Sequence, residues 1–285
     1  MGCGIGGVST GYPFTEKEAT ICRRLLDSLQ RRGRDAWGYF DGFTVHKEPG
    51  AFDESVKYET LVDDLLRTGT NIFLCHTRYA TQGDPEINKN NHPFELGDFV
   101  FAHNGVLYYS DPFDNVWDIE TDSFWMLYWI WHEYLGLGDV VEAMGNVVEA
   151  IRAGVSHVSG VYACWLHKRM EETTYLFRIK NPIMETHFWR SKDLVVFGSD
   201  WMSIVDSFDV PGLARRFKFF MPDVRPLKPR TIYKLRHGVL EEDGTFEPRS
   251  PRPIDRMDFQ RRQGHLLRYH IPIVSGRGLK IEYTG

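Results

Sequence analysis

A cysteine stands three residues into the chain, in Cys3-Gly4-Ile5, and a thiol beside a free terminal amine is a nucleophile with a base within reach. Three polar blocks follow at wider spacing: His76-Thr77-Arg78-Tyr79-Ala80-Thr81-Gln82-Gly83, then Asn91-His92-Pro93-Phe94, then Ala102-His103-Asn104-Gly105. Each lies at the end of a β-rich run, where loops present polar groups. Taken singly, each block has an ordinary structural reading. Arg78 would form a surface ion pair, His92-Pro93 a turn and Asn104-Gly105 a hairpin turn, and His103 would be a satisfied core histidine.

The elements that must position these residues are legible in the hydrophobic pattern. Thr15 to Arg32 opens with a capping box, Thr15-x-x-Glu18, and carries an apolar stripe at Ile21, Cys22, Leu25, Leu26 and Leu29. Ser55 to Thr68 repeats the helical spacing and stops at Gly69, and Asp139 to Ala153 does so before Gly154. Thr121 to Leu135 is so rich in Trp, Phe and Tyr that burial on more than one side is expected. Strands are expected at Phe43–His46, Asn71–His76, Phe99–His103, Val161–His167, Thr174–Lys180, Leu194–Gly198 and Thr231–Leu235. The run after Cys3 reads as a glycine-rich turn. Strands outnumber helices without alternating one for one, which implies largely antiparallel sheets in an α+β fold rather than a doubly wound parallel sheet.

The chain has 285 residues, 42% hydrophobic and 26% charged, enough to fold by core burial alone. A net charge of -5 argues against a surface built for nucleic acid. No apolar run reaches the roughly 18 residues of a membrane span, so no membrane partner is expected. Cys3, Cys22, Cys75 and Cys164 form neither a CxxC pair nor a disulfide framework, which suits a reducing, cytoplasmic setting. No histidine pair has ligand spacing and no glycine loop matches a nucleotide motif, so neither a metal nor a cofactor is expected. Residues 246–285 hold eight Lys or Arg against four Asp or Glu and three interleaved prolines, and read as a basic extension of a domain covering residues 1–245.

Taken together and in order, the motifs resemble the glutaminase domain of the class II glutamine amidotransferases. This N-terminal-nucleophile family includes the glutaminase parts of glucosamine-6-phosphate synthase and of glutamine phosphoribosylpyrophosphate amidotransferase. The resemblance rests on Cys3-Gly4-Ile5-x-Gly7, Arg32-Gly33-x-Asp35-x-x-Gly38, the three blocks above, and Thr121-Asp122-Ser123, with weaker echoes at Gly160–Ala163 and Gly198-Ser199-Asp200. It spans residues 3 to 240 or so.

The resemblance implies a four-layer αββα sandwich of the Ntn-hydrolase type and a glutaminase in which Cys3 attacks the side-chain amide of L-glutamine to form a thioester. Asn104 and the backbone amide of Gly105 would form the oxyanion hole, a role that suits a side-chain amide beside a small residue. Arg78 would clamp the substrate carboxylate with two parallel hydrogen bonds, Asp122 would hold its ammonium, and the backbone around Thr81 and Gln82 would help bind substrate. Arg32 and Asp35 would fix the loop around the nucleophile, with Gly33 and Gly38 permitting close backbone approach. Ammonia would pass to a separate acceptor synthase subunit. One departure bears on activity: Gly2 stands between Met1 and Cys3, and while it is attached the cysteine nitrogen is a peptide amide. Two alternatives follow, a related amide hydrolase acting on a γ-glutamyl compound, and a non-catalytic glutamine-binding or assembly protein.

Overall fold

A computed structural model describes residues 2–109, 117–138, 140–181, 184–208 and 223–248. Among these, two antiparallel sheets face each other. One contains β1 (Gly4–Thr10), β2 (Ala36–Phe40), β3 (Val45–Pro49), β4 (Ile72–Arg78), β9 (His187–Arg190), β10 (Leu194–Gly198) and β11 (Arg225–Pro226), in the order β11-β9-β10-β1-β4-β2-β3. The other contains β5 (Phe94–Leu96), β6 (Phe99–Tyr109), β7 (Val158–Lys168), β8 (Thr173–Arg178), β12 (Thr231–Arg236) and β13 (Val239–Thr245), in the order β13-β12-β8-β7-β6-β5. Ile5, Leu74, Val195 and Phe197 of the first sheet pack on Val100, Ala102, Trp165 and Leu176 of the second.

Helices cover both outer faces. Leu25, Leu26 and Leu29 of α1 (Glu16–Leu29), Leu61 and Leu65 of α2 (Val56–Thr68) and Ile204 of α5 (Trp201–Ser207) pack on Val8, Phe73 and Val196. α3 (Asp122–Tyr134) and α4 (Val147–Gly154) cover the second sheet through Phe124, Leu127, Ile130 and Ile151 against Phe101, Tyr162 and Phe177. The protein is therefore a four-layer αββα sandwich of the α+β class, as the resemblance implies.

Local chemistry sets the helix ends. Thr15 and Glu18 close the capping box of α1, and Gly69 ends α2 in the left-handed conformation at φ 66°. α3 buries most of its circumference, as its aromatic content predicts. The expected helix from Asp139 to Ala153 is shorter: Gly145 turns at φ 71°, and the Asn146 side chain then caps α4 by accepting from the amides of Val148 and Glu149. Val141 and Met144, apolar residues that helical spacing over Asp139 to Ala153 would bury, stand exposed; Asp139 lies outside the described residues.

Several strand expectations also shift, β6 most in length, since it runs on to Tyr109. β3 starts at Val45 rather than Phe43, because the Asp41 carboxylate accepts from the amides of Phe43 and Thr44 and holds a turn there. The run after Cys3 is a strand and not a turn. β1 lies inside its sheet between β10 and β4, buried along its whole length, and its small residues let Leu25 and Leu29 of α1 approach the sheet. Phe246 still packs in the core, and residues 249–285 of the basic extension lie outside the described residues. No described helix is long and apolar enough to cross a membrane.

Candidate active site

Cys3 immediately precedes β1, and Gly4 pairs with Thr77, so the nucleophile candidate lies alongside the end of β4. The Tyr79 amide donates to Cys3 Sγ at 3.4 Å, and Arg32 Nε donates to the Cys3 carbonyl at 2.7 Å. Ser199 secures the next residue: its Oγ accepts from the Ile5 amide at 2.8 Å. Asp35 holds the opposite wall, its carboxylate accepting from the Ala80 amide at 2.7 Å and its own amide donating to the Arg78 carbonyl at 3.0 Å. These are the fixing roles expected of Arg32 and Asp35. Gly33 and Gly38 also meet expectation, since a side chain would begin 2.3 Å from the Arg78 carbonyl carbon at the first and 2.2 Å from the His92 carbonyl oxygen at the second.

Arg78 ends β4 with only 3% of its surface exposed. Its guanidinium donates to Asn91 Oδ1 at 2.6 Å, to the Gly83 carbonyl at 2.8 Å and to the Gln82 carbonyl, so it is an internal brace rather than a surface ion pair. Gln82 thus enters through its backbone, while Thr81 is exposed in the same loop.

Asn104 and Gly105 lie inside β6, opposite Ala163 and Tyr162 of β7, and not in a hairpin turn or at a strand end. Residues Val100, Ala102 and Asn104 share the face toward the first sheet, which aims the carboxamide at the N-terminal segment: a β-carbon at Gly2 would stand 3.6 Å from Asn104 Oδ1. Asn104 is 1% exposed, yet neither its carboxamide oxygen nor its nitrogen has a partner. A buried amide left unpaired costs about 1–3 kcal/mol, and both polar atoms of Asn104 remain available to a further hydrogen-bonding group. Gly105 takes φ 148°, and a β-carbon there would fall 1.9 Å from the Val161 carbonyl oxygen.

Asp122 opens α3, where a helix N-terminus favours negative charge. Its Oδ2 accepts from the Leu107 amide at 2.7 Å, and Ser123 Oγ bridges it to His103 Nδ1 at 2.7 Å from the ring. His103 is thus a core histidine as read singly, although its Nε2 has no partner.

Electrostatics tie these groups together. Burial pushes the Cys3 thiol up to about 11, opposed by the Tyr79 amide and the Arg78 guanidinium and reinforced by Asp122. The thiol is therefore protonated near neutral pH and needs a base. Burial also lowers the Arg78 pKa, which Cys3, Asp35 and Asp122 raise in turn. Cys3, Arg78 and Asp122 thus share one electrostatic environment.

The sequence reading missed two features. The rings of His76 and His92 stack at 4.0 Å directly behind Arg78, and burial first, then neighbouring positive charge, holds both pKa values well below the ordinary imidazole range. Lys47 reaches the same corner from β3, donating to the Asn91 carbonyl at 2.7 Å and the Pro93 carbonyl at 3.1 Å. The histidines were visible in the quoted blocks; nothing in the sequence singled out Lys47. Among the described residues no group of three or more His, Cys, Asp or Glu could hold a metal ion.

Comparison with known proteins bears on the family and the fold. The sequence profile for class II glutamine amidotransferases matches residues 15–158, half of the chain, a span that includes Arg78, Asn104 and Asp122 and begins after Cys3. The glutamine–fructose-6-phosphate aminotransferase (isomerizing) of Streptococcus pyogenes is 27% identical over 199 residues, covering 64% of this chain and 30% of that enzyme. The Aquifex aeolicus enzyme of the same name is 34% identical over 110 residues, 37% of this chain and 17% of its own. The chain thus spans less than a third of the length of these curated relatives. Among solved structures, the glutamine phosphoribosylpyrophosphate amidotransferase of B. subtilis superposes with a TM-score of 0.56 at 16% identity, over 85% of this chain and 49% of that one.

Proposed function

The chain belongs to the class II glutamine amidotransferases, and on that premise we propose that it is a glutaminase that hydrolyses L-glutamine to glutamate and ammonia through a thioester on Cys3. The observation that supports this reading best is the buried, unpartnered carboxamide of Asn104 facing the segment that carries Cys3. The Cys3 thiol gives its proton to a base, and the sulfur attacks the side-chain amide carbon of glutamine. The resulting oxyanion receives hydrogen bonds from Asn104 Nδ2 and the Gly105 amide. Collapse of this adduct breaks the carbon–nitrogen bond, the departing nitrogen takes up the proton, and ammonia leaves. Water then adds to the thioester, glutamate departs and the thiol is restored. Arg78 clamps the substrate carboxylate, Asp122 holds its ammonium, and the backbone at Thr81 and Gln82 lines the site.

The base is the α-amine of Cys3, which requires removal of Gly2. While Gly2 is attached, a second reading applies, in which glutamine binds without turnover, because Arg78, Asp122 and Asn104 need no free amine. The released ammonia goes to an acceptor synthase outside these 285 residues. The four thiols are free, which suits a reducing cytoplasm.

The test compares a chain beginning at Cys3 with one whose mass confirms Gly2. The first should release ammonia from glutamine; the second should be stabilised thermally by glutamine and release none. Equal turnover in the two would refute the amine as base, and turnover in neither would refute the glutaminase reading.

A further inference from the structure

Arg78 reaches the site already committed to protein partners, so what fixes those partners fixes the clamp. One of them, Asn91, is fully buried and lies in a strap across β2 and β3. Its carboxamide is held at both ends: Oδ1 accepts from Arg78, and Nδ2 donates to the Pro85 carbonyl at 2.7 Å. The strap lies tight over Gly38, where the His92 carbonyl and the Pro93 ring fill the space of a side chain. Lys47, paired with Gly38 across the β2–β3 ladder, closes it from the other strand. Its ammonium donates to the carbonyls of Asn91 and Pro93 and stands 5.1 Å from the centre of the Phe94 ring, while its own carbonyl accepts from Asn88 Nδ2 at 2.7 Å. Two strap residues on either side of His92 are therefore tied to one cation, and one of these two carries the side chain that orients Arg78.

We propose that Lys47 is a positioning residue for the substrate-carboxylate clamp: by holding the Asn91 and Pro93 carbonyls it fixes the Asn91 carboxamide and, through it, the direction of the Arg78 guanidinium. This rests on the reading of Arg78 as the carboxylate clamp. Lys47 touches no reacting atom, and its effect falls on recognition of an amino acid's α-carboxylate. An arginine could make the same two hydrogen bonds; an apolar side chain of equal length could fill the space but leave both carbonyls unpaired.

The test is calorimetric binding of L-glutamine and of its α-carboxamide, which lacks the carboxylate, to the full chain and to variants. Lys47→Met should weaken glutamine binding about tenfold, as expected for loss of a charged hydrogen-bonding group, and leave α-carboxamide binding unchanged. Lys47→Arg should restore glutamine affinity. Should Lys47→Met not fold, Lys47→Gln carries the same comparison, because its shorter amide cannot bridge both carbonyls. Equal weakening of both ligands, or unchanged glutamine affinity in the folded variants, overturns the inference. Arg78→Lys separates the premise: if it too leaves glutamine affinity unchanged relative to the α-carboxamide, the clamp itself is wrong, whereas an effect at Arg78 with none at Lys47 removes Lys47 alone.

Discussion

Arg32 Nε donates to the carbonyl oxygen of Cys3 at 2.7 Å, tying the loop after α1 to the residue that carries the nucleophile. The bond leaves the thiol free and fixes the backbone from which it projects. Its loss should therefore affect the reaction more than substrate capture. In the chain starting at Cys3, Arg32→Gln should lower kcat by about tenfold, the effect of about 1.4 kcal/mol on a barrier, with KM changed less. Steady-state ammonia release measures both, and a change confined to KM would move Arg32 into substrate binding.

Asn104→Ala should reduce kcat by about a hundred- to a thousandfold, as for other lost oxyanion donors. The fold should survive, because the carboxamide has no protein partner to lose. Thermal unfolding and turnover of the same sample separate these effects.

A glutamine-like electrophile should label Cys3 and spare Cys22, Cys75 and Cys164, all three of which are buried. Cys3→Ala should abolish labelling and hydrolysis together. Peptide mapping of the labelled chain decides the point.

The histidines behind Arg78 predict an acid limit to stability. Burial holds His76, His92 and His103 below their unfolded value of about 6.5, so they are neutral in the folded protein where the unfolded chain has begun to bind protons. Stability is then fully present above that value and declines as pH falls below it, towards the depressed folded values. Denaturant midpoints should drop between pH 7.5 and 5, and His92→Phe should flatten the drop. A midpoint that is constant across this range would show that the three rings take up protons in the folded protein as they do in the unfolded chain.

Capping of α4 is a local test of the fold. Asn146→Ala removes the acceptor for two amides and should cost about 1 kcal/mol, read as a lower denaturant midpoint with glutamine affinity unchanged.

Much of this architecture was legible because the signals were local. The capping box and leucine stripe of α1 and the glycine stop of α2 lie within a few residues of what they control. β1 was not legible. Its glycines carry the composition of a turn, and their reason is a neighbour in space, the leucines of α1 at Gly4 and Gly6 and the Phe197 ring at Gly7. The same holds for Asn104-Gly105, a hairpin signal in sequence that the structure places inside an eleven-residue strand, where β7 rather than a turn dictates the conformation. At the candidate site, the ordered motifs singled out Cys3, Arg78, Asn104 and Asp122 as candidates. They could not identify Lys47, because its partners are backbone carbonyls 44 and 46 residues away, and a carbonyl has no letter in the sequence.

The position of Gly2 against Asn104 has a practical consequence. A β-carbon at Gly2 would stand 3.6 Å from the carboxamide oxygen and 3.7 Å from an Arg32 nitrogen, so a larger residue joined ahead of Cys3 would touch the carboxamide proposed to receive the oxyanion. An affinity tag at this end is not a passive handle. On the proposed glutaminase reading it would act as a tethered, partial competitor whose local concentration does not fall on dilution. Release of such a tag by a protease should therefore register as a gain in glutamine affinity as well as the appearance of an amine.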